Sequence, residues 1–227
     1  MSNISENILK IKKELPESVT LLAVSKTHPA ETILEAYKAG QRDFGENKVQ
    51  ELLAKQSQLS SDIRWHLIGH LQSNKVKYIA PFVSLIHSVD SLGLLEEINK
   101  QALKNNRVID CLLQIYIARE ETKFGLSIEE AEQILASDKF KTLKNVRITG
   151  LMGMASNTDD QTRIRSEFKA LYDFFTRLSN RTSESPAPGN LKPEILSMGM
   201  SADYKIAIEE GSTLVRAGSI IFGTRKQ

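Results

Sequence analysis

The chain has 227 residues, 41% of them apolar and 26% charged, with a formal net charge of +2. That is enough chain for one sizeable core, and the charge is too small and too evenly spread to imply nucleic acid or an anionic membrane as a partner. A single cysteine, Cys111, excludes an internal disulfide and reads as buried filler in a reducing cytoplasm, while no apolar run reaches the roughly 18–20 residues of a membrane span.

Residues 1–15 place apolar side chains at helical spacing among charged ones. Lacking an apolar h-region, they read as an amphipathic N-terminal helix with a solvated lysine face rather than a secretory signal. Short apolar runs then alternate with helical stretches. The strand-like runs are TLLAVSKT (20–27), RDFGEN (42–47), RWHLIGH (64–70), SLIHSVD (84–90), IDCLLQIYI (109–117), VRITGLMGM (146–154), EILSMGM (194–200) and LVRAGSIIFG (214–223). Gly40 and Gly211 fall where helix C-caps are expected, and Ser91 and Ser201 where N-caps are. AREETKFGLS (118–127) reads as a mobile loop after the fifth strand, and RTSESPAPGNLKP (181–193) as a surface loop before the seventh. Apolar strands alternating with helices imply parallel pairing with helices covering the sheet. Eight such strands point to a single-domain (β/α)8 TIM barrel over 1–227, slightly below the usual size; a doubly wound open sheet is the alternative.

Along the first strand, Leu22, Val24 and Lys26 share one face. If Leu22 and Val24 fill a barrel, Lys26 stands above them at the C-terminal mouth, where barrel enzymes keep their sites. A partly desolvated amine there favours its neutral, nucleophilic form and suits Schiff-base chemistry; a lysine snorkelling from the rim is the plain alternative. The last two strands weigh against that alternative. ILSMGMSADY supplies Ser197 and a glycine before a helix start, and LVRAGSIIFG supplies Arg216, Gly218 and Ser219. Loops after the seventh and eighth strands commonly hold phosphate. A strand-end lysine beside a phosphate cup asks for a phosphorylated carbonyl compound.

The stretches AVSKTHPAETILEAYKAGQRDFGENKVQE, WHLIGHLQSNK, HSVDSL, GLMGMAS and LSMGMSADYKIAIEEGSTLVRAGSIIFG resemble the pyridoxal-phosphate homeostasis family over nearly the whole chain. The resemblance implies a barrel like the N-terminal domain of alanine racemase, a PLP fold type III-like architecture with an extra N-terminal helix. It implies pyridoxal 5′-phosphate (PLP) as cofactor, with its aldehyde on Lys26. Carried over, Arg216 faces the pyridine nitrogen, Ser197 and the Gly218–Ser219 turn hold the phosphate, and Asn47 lies near the 3-hydroxyl. Val24, His66, Met152 and Met198 become ring or wall neighbours.

An arginine at the ring nitrogen disfavours its protonation and weakens PLP as an electron sink. The chain ends soon after its eighth strand, so no racemase-type second domain is expected. The reading is a monomeric carrier that holds PLP reversibly, contributes to intracellular PLP homeostasis without strong catalysis, and passes PLP to apoenzymes. A PLP-dependent amino-acid racemase is the alternative; a Schiff-base aldolase would leave Arg216 without a role. No catalytic residue and no metal are assigned. His66 and His70 share a strand face but read as packing or hydrogen-bonding groups. Trp65 reads as barrel-to-helix packing, Met154 and Met200 as apolar filler, and Lys75 as a surface lysine. Lys123, on the 118–127 loop, is a candidate for assisting PLP entry and exit.

Overall fold

The structure, a computed structural model, describes residues 3–118, 125–184 and 189–223. Eight parallel strands form one closed barrel in sequence order. They are β1 (Thr20–Val24), β2 (Asp43–Glu46), β3 (Arg64–Leu67), β4 (Leu85–Val89), β5 (Ile109–Tyr116), β6 (Val146–Met154), β7 (Leu191–Met200) and β8 (Leu214–Ala217). Closure is made by β1 against β8, in register from Thr20↔Leu214 to Ala23↔Ala217. The open-sheet alternative is thereby excluded.

Ten α-helices surround the strands among the described residues: α1 (Asn3–Glu14), α2 (Ala30–Lys38), α3 (Val49–Gln56), α4 (Val76–Ile79), α5 (Leu92–Lys104), α6 (Ile128–Ala136), α7 (Asp138–Thr142), α8 (Gln161–Glu184), α9 (Tyr204–Glu209) and α10 (Ser219–Phe222). Local chemistry sets several starts. Ser91 accepts from the Leu94 amide to cap α5, and Ser127 and Glu130 form a reciprocal capping box on α6. Ser201 does not cap α9, whose N-cap is Asp203. Gly40 and Gly211, at φ of +84° and +94°, directly follow the caps of α2 and α9.

Alternation along each strand divides the core in two. Leu21, Ala23, Phe44, Trp65, Ile86, Leu113 and Leu196 face outward into the layer shared with the helices. Trp65 packs there against Phe44, with ring centroids 6.1 Å apart. Leu22, Leu85, Leu112, Met152 and Leu214 form a separate cluster inside the barrel. Two sequence boundaries move. The run 214–223 is not one strand: β8 stops at Ala217, and the Ile221 and Phe222 amides turn back to the Gly218 carbonyl, both at 2.9 Å. The loop expected over 181–193 is shorter, because α8 runs to Glu184 and β7 begins at Leu191. Lys123 lies outside the described residues.

Truncating Leu112, fully buried inside the barrel, should leave a void that rigid strands cannot close. Leu112→Ala is expected to cost about 2–5 kcal/mol, read as a lower denaturant midpoint with an unchanged slope.

Candidate functional site

A cavity of about 460 Å³ opens at the C-terminal ends of the strands. Lys26, Asn47, Val24, Met152, Arg216, Gly218 and Ser219 line it, so the barrel brings together residues from β1, β2, β6 and β8. Leu22 packs inside the barrel and Val24, two residues on, lines the cavity, while Lys26 sits half-buried on the turn above them.

That turn is pinned from behind. The Ser25 amide extends the ladder to the Gly45 carbonyl at 3.0 Å, and the His28 amide closes onto the Ser25 carbonyl at 3.1 Å. Ser25 Oγ donates to Glu46 Oε1 at 2.6 Å, and Lys55 Nζ on α3 donates to the Ser25 carbonyl and Glu46 Oε1, both at 2.8 Å. Lys55 also reaches Glu51 at 2.6 Å, and Glu51 accepts from the Thr27 amide. Thr27 has φ of +70°, a left-handed conformation that costs a β-branched residue energy, so the surrounding bonds must hold it. Burial pushes the Glu46 carboxyl above its usual range, opposed by the bonds from Lys55 and Ser25. His28 then stacks on Phe222, centroids 4.8 Å apart, tying the Lys26 turn to α10.

Across the cavity, Arg216 is 5% exposed. Its Nη1 donates to the Ser197 carbonyl at 2.8 Å and to Ser197 Oγ at 2.7 Å, and its Nη2 donates to the Gly153 carbonyl at 3.0 Å. Burial, partly offset by the Asp203 carboxylate, lowers its guanidinium to about 10, still charged at neutral pH. The turn beside it is built for close approach. A Cβ on Gly218 would stand 3.3 Å from the Val24 carbonyl, and the Gly218 amide donates to Ser201 Oγ at 3.2 Å. Ser201 and Ser219 both line the cavity. At the opposite rim, His70 Nδ1 lies 3.4 Å from Asp90 Oδ2.

Three residues expected at the site stand elsewhere. Ser197 is wholly buried beneath Arg216 and spends its hydroxyl on that cation and on His87, so it supports the arginine rather than lining the cavity. Met198 is on the opposite face of β7, packed in the outer layer. His66 points into the barrel, 2.9 Å from His87 and 3.3 Å from Asp43, below the cavity, which also separates it from His70 at the rim. Conversely, Met154 and Met200, read as filler, line the mouth, as do Ser201 and Gln114. Met200 arrives there because β7 carries a bulge against β8: three steps from Ser197 to Met200 match two from Leu214 to Arg216. The Glu46–Lys55 pair was signalled only by a glutamate ending an apolar strand and a lysine on the apolar side of a helix.

Removing the cation behind the turn should expose the cost of Glu46. Lys55→Met keeps the buried stem but leaves a carboxylate enclosed without its partner, an expected loss of about 3–5 kcal/mol near neutral pH. Because the folded Glu46 carboxyl is raised, the deficit should shrink as pH falls and Glu46 takes up a proton. Urea unfolding at neutral and mildly acidic pH would read both effects.

The family model "Alanine racemase, N-terminal domain" matches residues 1–226. The pyridoxal phosphate homeostasis protein of Aquifex aeolicus is 42% identical over 91% of this chain and 87% of its own length. That of Pseudomonas aeruginosa is 37% identical over 99% and 97%. PipY of Synechococcus elongatus, solved without PLP and with PLP bound, matches at TM-scores of 0.88 and 0.86, with 38% and 37% identity, 97% of this chain and 100% of its own. An alanine racemase of Clostridium difficile, 15% identical and matched over 57% of its length at a TM-score of 0.74, shares the barrel fold. The chain therefore belongs to the pyridoxal phosphate homeostasis protein family, on the barrel of the alanine racemase N-terminal domain.

Proposed function

We propose that this chain binds PLP at the C-terminal mouth of its barrel, carries it as a Schiff base on Lys26, and contributes to PLP homeostasis without strong catalysis. The observation that carries the reading is the meeting of Lys26, Arg216 and the Gly218–Ser219 turn in one cavity. The donor set fits the ligand: one amine for an aldehyde, one obligate donor for a ring nitrogen, and hydroxyls beside a glycine for a phosphate. Relatives named for PLP homeostasis, and a similar structure with PLP bound, support the same assignment.

When bound, PLP supplies a reactive aldehyde and an anionic phosphate. The neutral Lys26 amine would condense with the aldehyde, forming the imine and releasing one water. Ser201 joins Gly218 and Ser219 at the phosphate end in place of Ser197. Arg216, held by two carbonyls and a hydroxyl, would donate to the ring nitrogen, and Asn47 would face the 3-hydroxyl. Val24 and Met152 give the apolar walls. An arginine in that place withdraws fewer electrons from a bound substrate than a protonated ring would, which favours carrying over racemising. The proposed setting is the cytoplasm, with a single chain as the working unit and PLP-dependent apoenzymes as recipients.

Protein mixed with PLP is expected to show an imine absorbance band that Lys26→Ala lacks. Borohydride reduction followed by intact mass and peptide mapping should place one pyridoxyl group on Lys26. A band retained in the variant, or a label mapping elsewhere, would remove Lys26 from this role; turnover of amino acids at ordinary enzymatic rates would favour the racemase.

A further inference from the structure

The middle of the barrel is polar where apolar layers would be usual. Asp43 Oδ1 on β2 lies 3.3 Å from His66 Nε2, and His66 Nδ1 lies 2.9 Å from His87 Nε2 on β4. His87 Nδ1 lies 3.1 Å from Ser197 Oγ on β7, which accepts from Arg216 Nη1 at 2.7 Å. His87 and Ser197 are fully buried. At the far end, Arg64 grips both Asp43 oxygens, at 2.7 and 2.6 Å, on the barrel's N-terminal face.

The carboxylate end dictates the direction of each bond in turn, and the arginine end is compatible with it. Arginine only donates and an ionised carboxylate only accepts. Burial raises the Asp43 carboxyl, but bonds from His66 and Arg64 outweigh it and hold the group at about 2. Burial, reinforced by the nearby Arg216 guanidinium, holds His87 well below the usual imidazole range, so its ring is neutral. With Asp43 accepting, His66 carries its hydrogen on Nε2, leaving Nδ1 to accept. His87 must then donate from Nε2 and accept at Nδ1. Ser197 donates to His87 and accepts from Arg216. With both rings neutral, all links satisfy one another in a single sense, and reversing one between Asp43 and Ser197 sets two acceptors face to face.

We propose that Asp43, His66, His87 and Ser197 form a directional hydrogen-bond chain along the barrel axis, whose role is to position the Arg216 guanidinium at the cavity, so that ligand binding at one mouth depends on a carboxylate at the other. These are positioning residues; only Arg216 faces the cavity. The choice of ligand rests on the PLP reading above, but the chain itself does not.

The test combines ¹⁵N spectra of the ligand-free protein with PLP titrations of the native chain, Asp43→Asn and Arg64→Ala. In the native protein both His66 and His87 should appear as neutral Nε2–H rings. Asp43→Asn, whose amide can donate, should shift that tautomer balance, broaden the Arg216 Nη signals and weaken PLP binding about ten-fold, the loss expected for one charge-assisted hydrogen bond. Arg64→Ala removes an ion pair at the same mouth but leaves the acceptor, so tautomers and affinity should stay native; this separates positioning from stability. Either ring found as Nδ1–H or doubly protonated in the native protein, or an Asp43→Asn affinity equal to native, would overturn the proposal. If native protein bound no PLP, the ligand reading would fall, and the ring tautomers and Arg216 signals would still decide the chain.

Discussion

Arg216 is a cation enclosed by its own barrel, and much of the interior is arranged to keep it there. An unpaired buried charge is costly, so a guanidinium at this depth requires acceptors in fixed places. They come from neighbouring strands: the Ser197 carbonyl and hydroxyl on β7 and the Gly153 carbonyl on β6. Backbone acceptors in a closed sheet cannot move without breaking the ladder, so closure itself fixes the arginine. The neighbouring Asp203 carboxylate, pushed upward by burial, partly offsets the cost from outside the barrel.

The amine on the other side is held by a different logic. Lys26 rides on a turn, not inside the sheet, and the backbone on either side of it, at Ser25 and Thr27, is secured from the outer layer by Lys55 and Glu51, with Glu46 holding Lys55. The inner cation and the outer ion pairs thus fix the two sides of the cavity independently. They meet through Val24, whose carbonyl stands close to Gly218, and through the His28–Phe222 stack.

The repeating features were legible in the sequence. Strand alternation placed Leu22 inside and Val24 and Lys26 above it, and the count of apolar runs gave eight strands. The same rule, applied consistently, would have sent Met198 outward once Ser197 was taken as inward. What alternation could not supply was the β7 bulge that turns Met200 to the cavity, since nothing in LSMGMS marks an extra residue except Gly199, which takes φ of +91°. Ser197 and Ser201 are both serines near one strand end; only three-dimensional placement shows that the first is consumed by Arg216 and His87. His66 and His87, two buried histidines on adjacent strands, needed the register to become neighbours.

The division of labour bears on what this site can do with a ligand. Arg216 belongs to the sheet and Gly218–Ser219 to a glycine turn abutting it, whereas Lys26 is a half-buried residue on the turn above β1. A ligand gripped by the rigid part and linked only through a reversible bond at the rim can leave when water or another amine reaches that bond. Enclosure of the imine would slow exchange, and a protonated ring partner would draw electrons toward chemistry on a bound substrate. On the proposed reading, an arginine at the ring nitrogen would favour holding and releasing the cofactor over transforming what is attached to it.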